Sequence, residues 1–148
     1  MKARLLIIAT AGLLGAANQQ PAKTDLDKLQ GTWLVVSAEG EDGEALATGK
    51  NVKFIFKGAR MTKTSKKGPV EGTCKLNEGK NPKEIDVMYL GPRKEPFLLR
   101  GIYLLDGDNL KMCFSSRSEG LKENETVRPR EFKGKGDQIL WILKRQRP

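Results

Sequence analysis

The chain has 148 residues, two cysteines, no histidine and a formal net charge of +9. This length allows one domain and hardly two. Without histidine the chain lacks the usual general base and the commonest metal ligand, so enzymes that depend on either are excluded. Lysine and arginine are spread over nearly every segment, which is typical of a solvated basic surface, and nucleic-acid binding is not expected.

The first 17 residues are predicted to be a secretory signal peptide. Residues 1–4 are basic, residues 5–14 form an uncharged run of ten, and residues 15–17 are the small residues expected at a cleavage site. Ten helical residues span only about 15 Å, half of a bilayer's hydrocarbon core, so no membrane span is expected. We therefore expect export to the periplasm or the extracellular space, with a mature chain that starts near Asn18.

A polar, proline-containing leader, residues 18–25, is predicted to be flexible and to precede a barrel domain, residues 26–146. Thr24 or Asp25 can cap one short helical turn, which ends at Gly31. From there on, short apolar alternations separated by Gly, Pro, Asn and Lys are typical of β structure.

Eight strands are predicted, and no segment has the periodicity of a helix of ten or more residues. The acidic stretch 40–49 and the polar stretch 116–127 are predicted to be loops, and Asp106–Asn109 a tight turn. Residues 128–132 are predicted to be a packed crossover that covers one barrel end, with a lid or partner surface as the alternative. The strands cover residues 32–39, 52–57, 60–65, 70–76, 84–89, 97–105, 110–115 and 138–145.

The fold class predicted from these strands is all-β. Eight antiparallel strands in hairpin succession leave two exposed edges unless the sheet closes, and eight strands can close around a packed interior or one small ligand. We therefore predict an eight-stranded antiparallel up-and-down β-barrel, with a β-sandwich as the main alternative. The inward side chains are predicted to be Val35, Val52, Phe54, Phe56, Leu76, Ile85, Val87, Leu98, Ile102, Leu104, Leu110, Met112, Ile139, Trp141 and Leu143.

A disulfide between Cys74 and Cys113 is possible in an oxidising compartment. Strand alternation argues against it, because Cys74 shares a face with Leu76 whereas Cys113 alternates with Met112. The two sulfur atoms are expected to point to opposite sides of the sheet.

The helical turn that runs into Gly31-Thr32-Trp33 is similar to the opening of lipocalins and their calycin relatives. The wider pattern resembles a lipocalin-like domain family that is found mainly in planctomycete bacteria and has no assigned function. The resemblance covers residues 26–146 and implies an eight-stranded barrel, but no activity and no cofactor. The segments that carry it are residues 29–38, 72–87, 101–113, 128–132 and 143–145.

The resemblance also implies a structural role for Trp33 and Arg145. In lipocalins the tryptophan of Gly-x-Trp packs at the closed end of the barrel under an arginine from the last strand. Arg145 matches that position, with Lys144 as the alternative, and a guanidinium over an indole contributes about 0.5–2 kcal/mol. Trp33 and Arg145 are thus expected to close the barrel and not to contact a ligand.

The candidate ligand-binding residues are of two kinds. Phe54, Phe56 and Trp141 are inward aromatic residues, while Asp86 and Arg100 are charged residues within otherwise apolar strands. A charged side chain that points inward needs a partner, so the pair can anchor a ligand. The alternatives are an internal ion pair and two charges that face outward.

No catalytic, metal or cofactor site is predicted. The acidic residues within 39–44 lack the spacing of a calcium-binding loop. The cysteines have no histidine or helix N-terminus to lower their pKa. Two functions remain for what we expect to be a monomer. One is a non-enzymatic carrier of a small apolar or amphipathic molecule. The other is a scaffold whose basic hairpin, residues 60–67, contacts a protein or an anionic envelope polymer.

Overall fold

A computed structural model describes residues 20–40, 51–91, 93–115, 118–119 and 122–148. The predicted signal peptide and most of the predicted acidic loop lie outside these residues. The described elements, in chain order, are α1 (Asp25–Leu29), β1 (Gly31–Glu39), β2 (Lys53–Lys57), β3 (Arg60–Ser65), β4 (Gly68–Asn77), β5 (Lys83–Leu90), β6 (Pro96–Asp106), β7 (Asn109–Ser115), β8 (Ser118–Glu119), β9 (Lys122–Thr126) and β10 (Gln138–Arg145).

The short helix α1 begins at a capping box. The Thr24 hydroxyl accepts a hydrogen bond from the Asp27 backbone N–H at 3.2 Å, and the Asp27 carboxylate accepts one from the Thr24 N–H at 3.0 Å. These bonds satisfy backbone donors that a helix N-terminus otherwise leaves free. Asp25, expected at the end of the leader, is the first helical residue and is buried. Gln30 caps the other end.

The first and last strands of the barrel lie side by side and close the sheet. Trp33 pairs with Arg145 and Val35 with Leu143, in antiparallel register. From β1 the hydrogen-bonded order runs through β2, β3, β4 and β5 to β6, and returns through β7 to β10. The predicted eight-stranded antiparallel barrel is therefore confirmed, and closure leaves none of these eight strands as a free sheet edge.

The polar stretch predicted to be a loop contains two more strands, so that prediction was wrong. The short strands β8 and β9 pair with each other, and β9 also runs parallel to β6, with Glu125 opposite Leu98. This sequence is almost entirely polar, and β9 is paired to β6 through the backbone. Apolar alternation, the main sequence signal for a strand, is consequently missing.

The barrel interior is apolar, and most predicted inward residues point into it. Trp33, Phe54, Phe56, Met112 and Leu143 belong to one buried cluster that fills the barrel. The β-bulge between Val35 and Ser37 shifts the register of β1 against β10. The predicted inward residues of β1, β2, β4, β5, β7 and β10 pack in or against this cluster.

Strand β6 has the opposite parity to the predicted one. Leu99, Tyr103 and Leu105 pack against the interior, so Leu98, Ile102 and Leu104 lie on the outer face. Ile102 instead joins Cys113 and Leu140 in a second buried cluster outside the barrel wall, and Phe132 packs against it. Because the chain after β9 covers this part of the wall, both faces of β6 are apolar and alternation does not reveal which one is internal.

The two cysteines lie on opposite faces of the barrel wall, as strand alternation predicted. Cys74 belongs to the interior cluster, whereas Cys113 belongs to the outer cluster and lies 3.5 Å from the carbonyl oxygen of Lys133. Both thiols are free. Burial raises the pKa of Cys113 to about 11, so this thiol is protonated at neutral pH.

Gly101 allows an aromatic ring to lie directly against the backbone of β6. A Cβ atom at this position would lie 2.4 Å from the ring of Phe114, the cross-strand partner of Gly101. We expect Gly101→Ala to lower the free energy of unfolding by about 1–2 kcal/mol through overpacking, measured by urea denaturation. Gly79→Ala, in a turn with no atom nearer than 3.7 Å, is the control. Equal stability of the two variants would contradict the prediction.

No helix in the described ranges is long and apolar enough to cross a membrane.

Candidate ligand-binding site

An apolar pocket of about 350 Å³ lies inside the barrel at the end opposite α1. This end is formed where β3, β5 and β7 end and where β4, β6 and β10 begin. Alternation along these strands directs their inward side chains towards one another. The apolar walls are formed mainly by Phe54, Met61, Val87, Leu99, Phe114 and Trp141.

Two aromatic pairs give the pocket its shape. Phe54 and Trp141 meet edge to face, with ring centroids 5.5 Å apart and an interplanar angle of 68°. Tyr89 and Phe97 are cross-strand partners with centroids 5.0 Å apart. Such contacts are favourable beyond the area that they bury, and they hold the rings in defined positions. The pocket therefore has rigid aromatic sides.

Lys63 also lines the pocket, although its place in a basic hairpin predicted an outward side chain. Met61 and Lys63 alternate with Thr62 in β3, and Met61 is buried inside the barrel. Lys63 accordingly points inward, and its Nζ atom lies 4.5 Å from the centroid of the Trp141 ring. Strand β3 is so polar that its sequence is typical of an exposed hairpin. The position of Lys63 two residues after the apolar Met61 nevertheless indicated that both side chains share the inner face.

The Lys63 ammonium has an unusual environment for a lysine. Burial lowers its pKa from the ordinary value, and the positive charge of Lys67 lowers it further. Among the residues that the structure describes, no carboxylate forms an ion pair with it, and its Nζ atom lies over the π face of Trp141. The pocket thus contains a positive charge that no described side chain neutralises.

A neutral polar side chain, that of Tyr89, also lines the pocket. Burial raises the pKa of Tyr89, so its phenol keeps its proton and can donate a hydrogen bond at neutral pH. A ligand that fits here is mostly apolar and carries one polar group.

The predicted ligand-binding residues separate into three groups. Phe54 and Trp141 line the pocket, as proposed from the sequence. Phe56 is buried deeper in the core, opposite Gly31 and Met61, and does not line the pocket.

Asp86 and Arg100 lie on the outer face of the barrel, outside the pocket. They are cross-strand partners, but Arg100 binds a residue of β9 and Asp86 binds a residue just after β9. The Arg100 guanidinium donates a hydrogen bond to the Glu125 carboxylate at 2.7 Å. The Arg128 guanidinium forms an ion pair with the Asp86 carboxylate, with Nη2 2.7 Å from Oδ1. Arg128 also donates to the carbonyl oxygen of Gly101 at 2.7 Å. These charges fasten the crossover to the barrel.

The predicted packed crossover, residues 128–132, covers the side wall and not a barrel end. Arg128 binds the outer face of β5 and β6, and Phe132 packs on the outer cluster. Since a polar anchor and an apolar anchor hold the segment against the wall, this position does not suit a lid over the pocket.

The opposite end of the barrel is closed by Trp33 and Arg145. The Arg145 guanidinium carbon lies 4.3 Å from the centroid of the Trp33 ring, and the indole N–H donates to the carbonyl oxygen of Leu29 at 2.8 Å. Arg145 also donates to the carbonyl oxygens of Gln30, at 2.7 Å, and Lys28, and to Asp108 at 3.0 Å. One side chain therefore joins the last strand to the helix and to the β6–β7 turn.

A buried carboxylate stabilises the same closed end. Asp25 accepts hydrogen bonds from Lys83 at 2.6 Å, from Tyr103 at 2.9 Å and from Lys28 at 3.2 Å. Burial by itself raises the pKa of Asp25, but these hydrogen bonds outweigh it and hold the pKa below its ordinary value. Across the described residues, no group of three or more metal-ligating side chains is arranged to hold a metal ion.

The fold and the pocket define a class: a small closed β-barrel with an apolar pocket at one end. No family model and no curated protein matches the chain. Among solved structures the chain is similar to LTBP1, in the crystal structure of its LTC4 complex, with a TM-score of 0.51 and 10% identity over 86% of this chain and 72% of that one. At this identity the similarity shows a shared fold alone.

Proposed function

We propose that this chain is a non-enzymatic binding protein for a small apolar or amphipathic molecule, which it holds in the barrel pocket. The observation that carries the proposal is the apolar pocket of about 350 Å³ with aromatic walls. Ligand pockets are typically apolar concavities of about 300–1,000 Å³ with a few polar groups that orient the ligand. A barrel of similar fold has been solved in complex with LTC4.

The pocket volume limits how much of a ligand the barrel can enclose. At ~30 Å³ for each molecule, the pocket has room for about a dozen waters, so it encloses a short chain or one or two rings. A longer ligand would extend from the open end. This size favours a small ligand or one end of a longer molecule.

The alternative scaffold function depended on a basic hairpin that includes Lys63. Because Lys63 points into the barrel, the outer surface of this hairpin retains Arg60 at the start of β3 and Lys66 and Lys67 at its tip. A smaller cluster of exposed charge binds an anionic polymer less strongly. The pocket is therefore the better basis for a function.

Titration with N-phenyl-1-naphthylamine, a neutral apolar fluorescent probe, tests the proposal. We expect saturable one-to-one binding to the wild type. Leu99→Trp, which fills the pocket, should weaken binding about tenfold or more, a loss of about 1.4 kcal/mol or greater. Leu104→Trp lies on the same strand but on the exposed outer face, so it is the matched control. Absence of saturable binding, or equal binding by the two variants, would overturn the proposal.

We also propose that the protein is exported and is lipocalin-like, on the sequence resemblance described above. The basic and apolar residues 1–17 support export, and the mature chain is expected to begin near Asn18. Mass spectrometry of protein from the periplasm or culture medium checks this, because cleavage removes the first 17 residues. Recovery of the uncleaved chain from the cytoplasm alone would contradict it.

A further inference from the structure

Lys63 occupies an unusual position for a lysine, because it is half-buried and faces an apolar pocket. Lysine side chains on a barrel wall ordinarily extend their ammonium group into water, and a charge that is withdrawn from water is costly unless it is paired. Lys63 lies opposite Phe54 and Val70 in the sheet and over the ring of Trp141. A cation–π contact of this kind offsets only part of the cost.

The other charged residues that the structure describes near the pocket do not neutralise Lys63. Glu71 borders the pocket, but it is exposed and pairs with Thr62, whose side chain alternates with the inward Lys63. Lys67, in the adjoining turn, adds repulsion. The missing negative charge can therefore be supplied by a ligand.

We infer that Lys63 makes the pocket selective for an amphiphile with one anionic head group, whose apolar part packs against Phe54, Leu99 and Trp141. The inference rests on the proposed binding function and adds the chemical class of the ligand. The head group lies beside the Lys63 ammonium at the open end, where Tyr89 offers a neutral hydrogen-bonding group in the same pocket. Hydrogen bonds to charged groups contribute about 1.5–3 kcal/mol, which corresponds to roughly ten- to a hundredfold in affinity.

A series of ligands with one chain and different head groups tests this inference. Decanoate, 1-decanol and decyltrimethylammonium, each below its micelle concentration, compete with N-phenyl-1-naphthylamine for the wild type. We expect decanoate to bind about ten- to a hundredfold more tightly than decanol, and the cation to bind most weakly. Equal affinities for decanoate and decanol would overturn the inference.

Variants of Lys63 connect the selectivity to this side chain. Lys63→Met should weaken decanoate binding by the same factor and leave decanol within about twofold, while Lys63→Arg should retain the preference. Lys66→Met, at the exposed hairpin tip, is the control and should behave as the wild type. If Lys63→Met and Lys66→Met lose decanoate affinity equally, long-range charge and not Lys63 is responsible.

The dependence on pH gives a readout that a purely structural role would not produce. The carboxylate of decanoate stays ionised through the weakly alkaline range, and burial raises the pKa of Tyr89, so its phenol stays neutral there. The preference for decanoate should fall as the pH rises through the pKa of Lys63, and this fall should begin below about 10.4, where exposed lysines titrate. In Lys63→Met it should be absent.

The outcomes separate this inference from the proposed function. If neither the neutral probe nor decanol binds, the binding function itself fails. If both bind and no head-group preference is found, the binding function stands and the anionic ligand class is rejected. The wild-type series decides this even if Lys63→Met does not fold.

Discussion

Replacement of Asp25 by alanine should lower the free energy of unfolding by about 2–4 kcal/mol. The substitution removes a buried carboxylate and leaves the buried Tyr103 hydroxyl without its acceptor. Breaking a fully buried ion pair costs about 3–5 kcal/mol, and the smaller figure here reflects the solvent exposure of the ammonium groups of Lys28 and Lys83. Chemical denaturation at pH 7 measures the loss.

Two variants separate the charge of Asp25 from its hydrogen bonds. Asp25→Asn keeps an acceptor for Tyr103 but removes the charge, so an intermediate loss is expected. Lys28→Met removes one partly exposed partner and should have a small effect. If Asp25→Ala were as stable as the wild type, the carboxylate would have no role in closing the barrel.

The contribution of Asp25 should also disappear in acid. A carboxyl group whose pKa is lower in the folded than in the unfolded chain stabilises the fold above the unfolded pKa, about 3.9. That contribution is lost as the pH falls through the lowered folded pKa. The stability difference between the wild type and Asp25→Asn should therefore be constant from about pH 8 to pH 5 and shrink below about pH 4. A constant difference down to pH 2 would contradict this.

Arg145→Met should lower the free energy of unfolding by about 2–3 kcal/mol. The variant keeps an apolar stem but loses the cation–π contact with Trp33 and the hydrogen bonds to the carbonyl oxygens of Lys28 and Gln30. Thermal and urea denaturation measure the loss. Arg145→Lys keeps the charge but not the planar fork, so its stability should lie between the two.

A neighbouring arginine provides the control for this experiment. Arg147 also binds Asp108 but is exposed, so Arg147→Met should leave the unfolding midpoint unchanged within error. Equal losses from the two variants would show that net charge near Asp108, and not closure over Trp33, determines stability.

The two ends of the barrel differ in how completely their charged side chains are paired. At the closed end the buried carboxylate of Asp25 is surrounded by three donors, and Arg145 is held by Trp33, two carbonyl oxygens and Asp108. At the open end the ammonium of Lys63 lies over the π face of Trp141, and no carboxylate within the described ranges pairs with it. Fully paired charges stabilise a fold, whereas an incompletely paired one in a pocket is typical of a site for a charged ligand.

Local patterns in the sequence were sufficient to predict the eight barrel strands and their closure, but not the polar strands β8 and β9. Alternation of apolar and polar residues, together with turn residues such as those of Asp106–Asn109, identified the eight barrel strands. Closure followed because two free edges are unfavourable. The contact between Trp33 and Arg145 came from a family resemblance, and the structure contains it.

Only the tertiary structure showed which face of β3 and of β6 is internal, and which charged side chains form ion pairs. Alternation shows which residues share a face, but not which face is inside when both are apolar, as in β6, or both are polar, as in β3. The partners of Asp25 lie 58 and 78 residues away, at Lys83 and Tyr103, so no local pattern connects them. The inward position of Lys63, on which the proposed ligand class depends, emerged only when the sheet closed and placed Trp141 beside it.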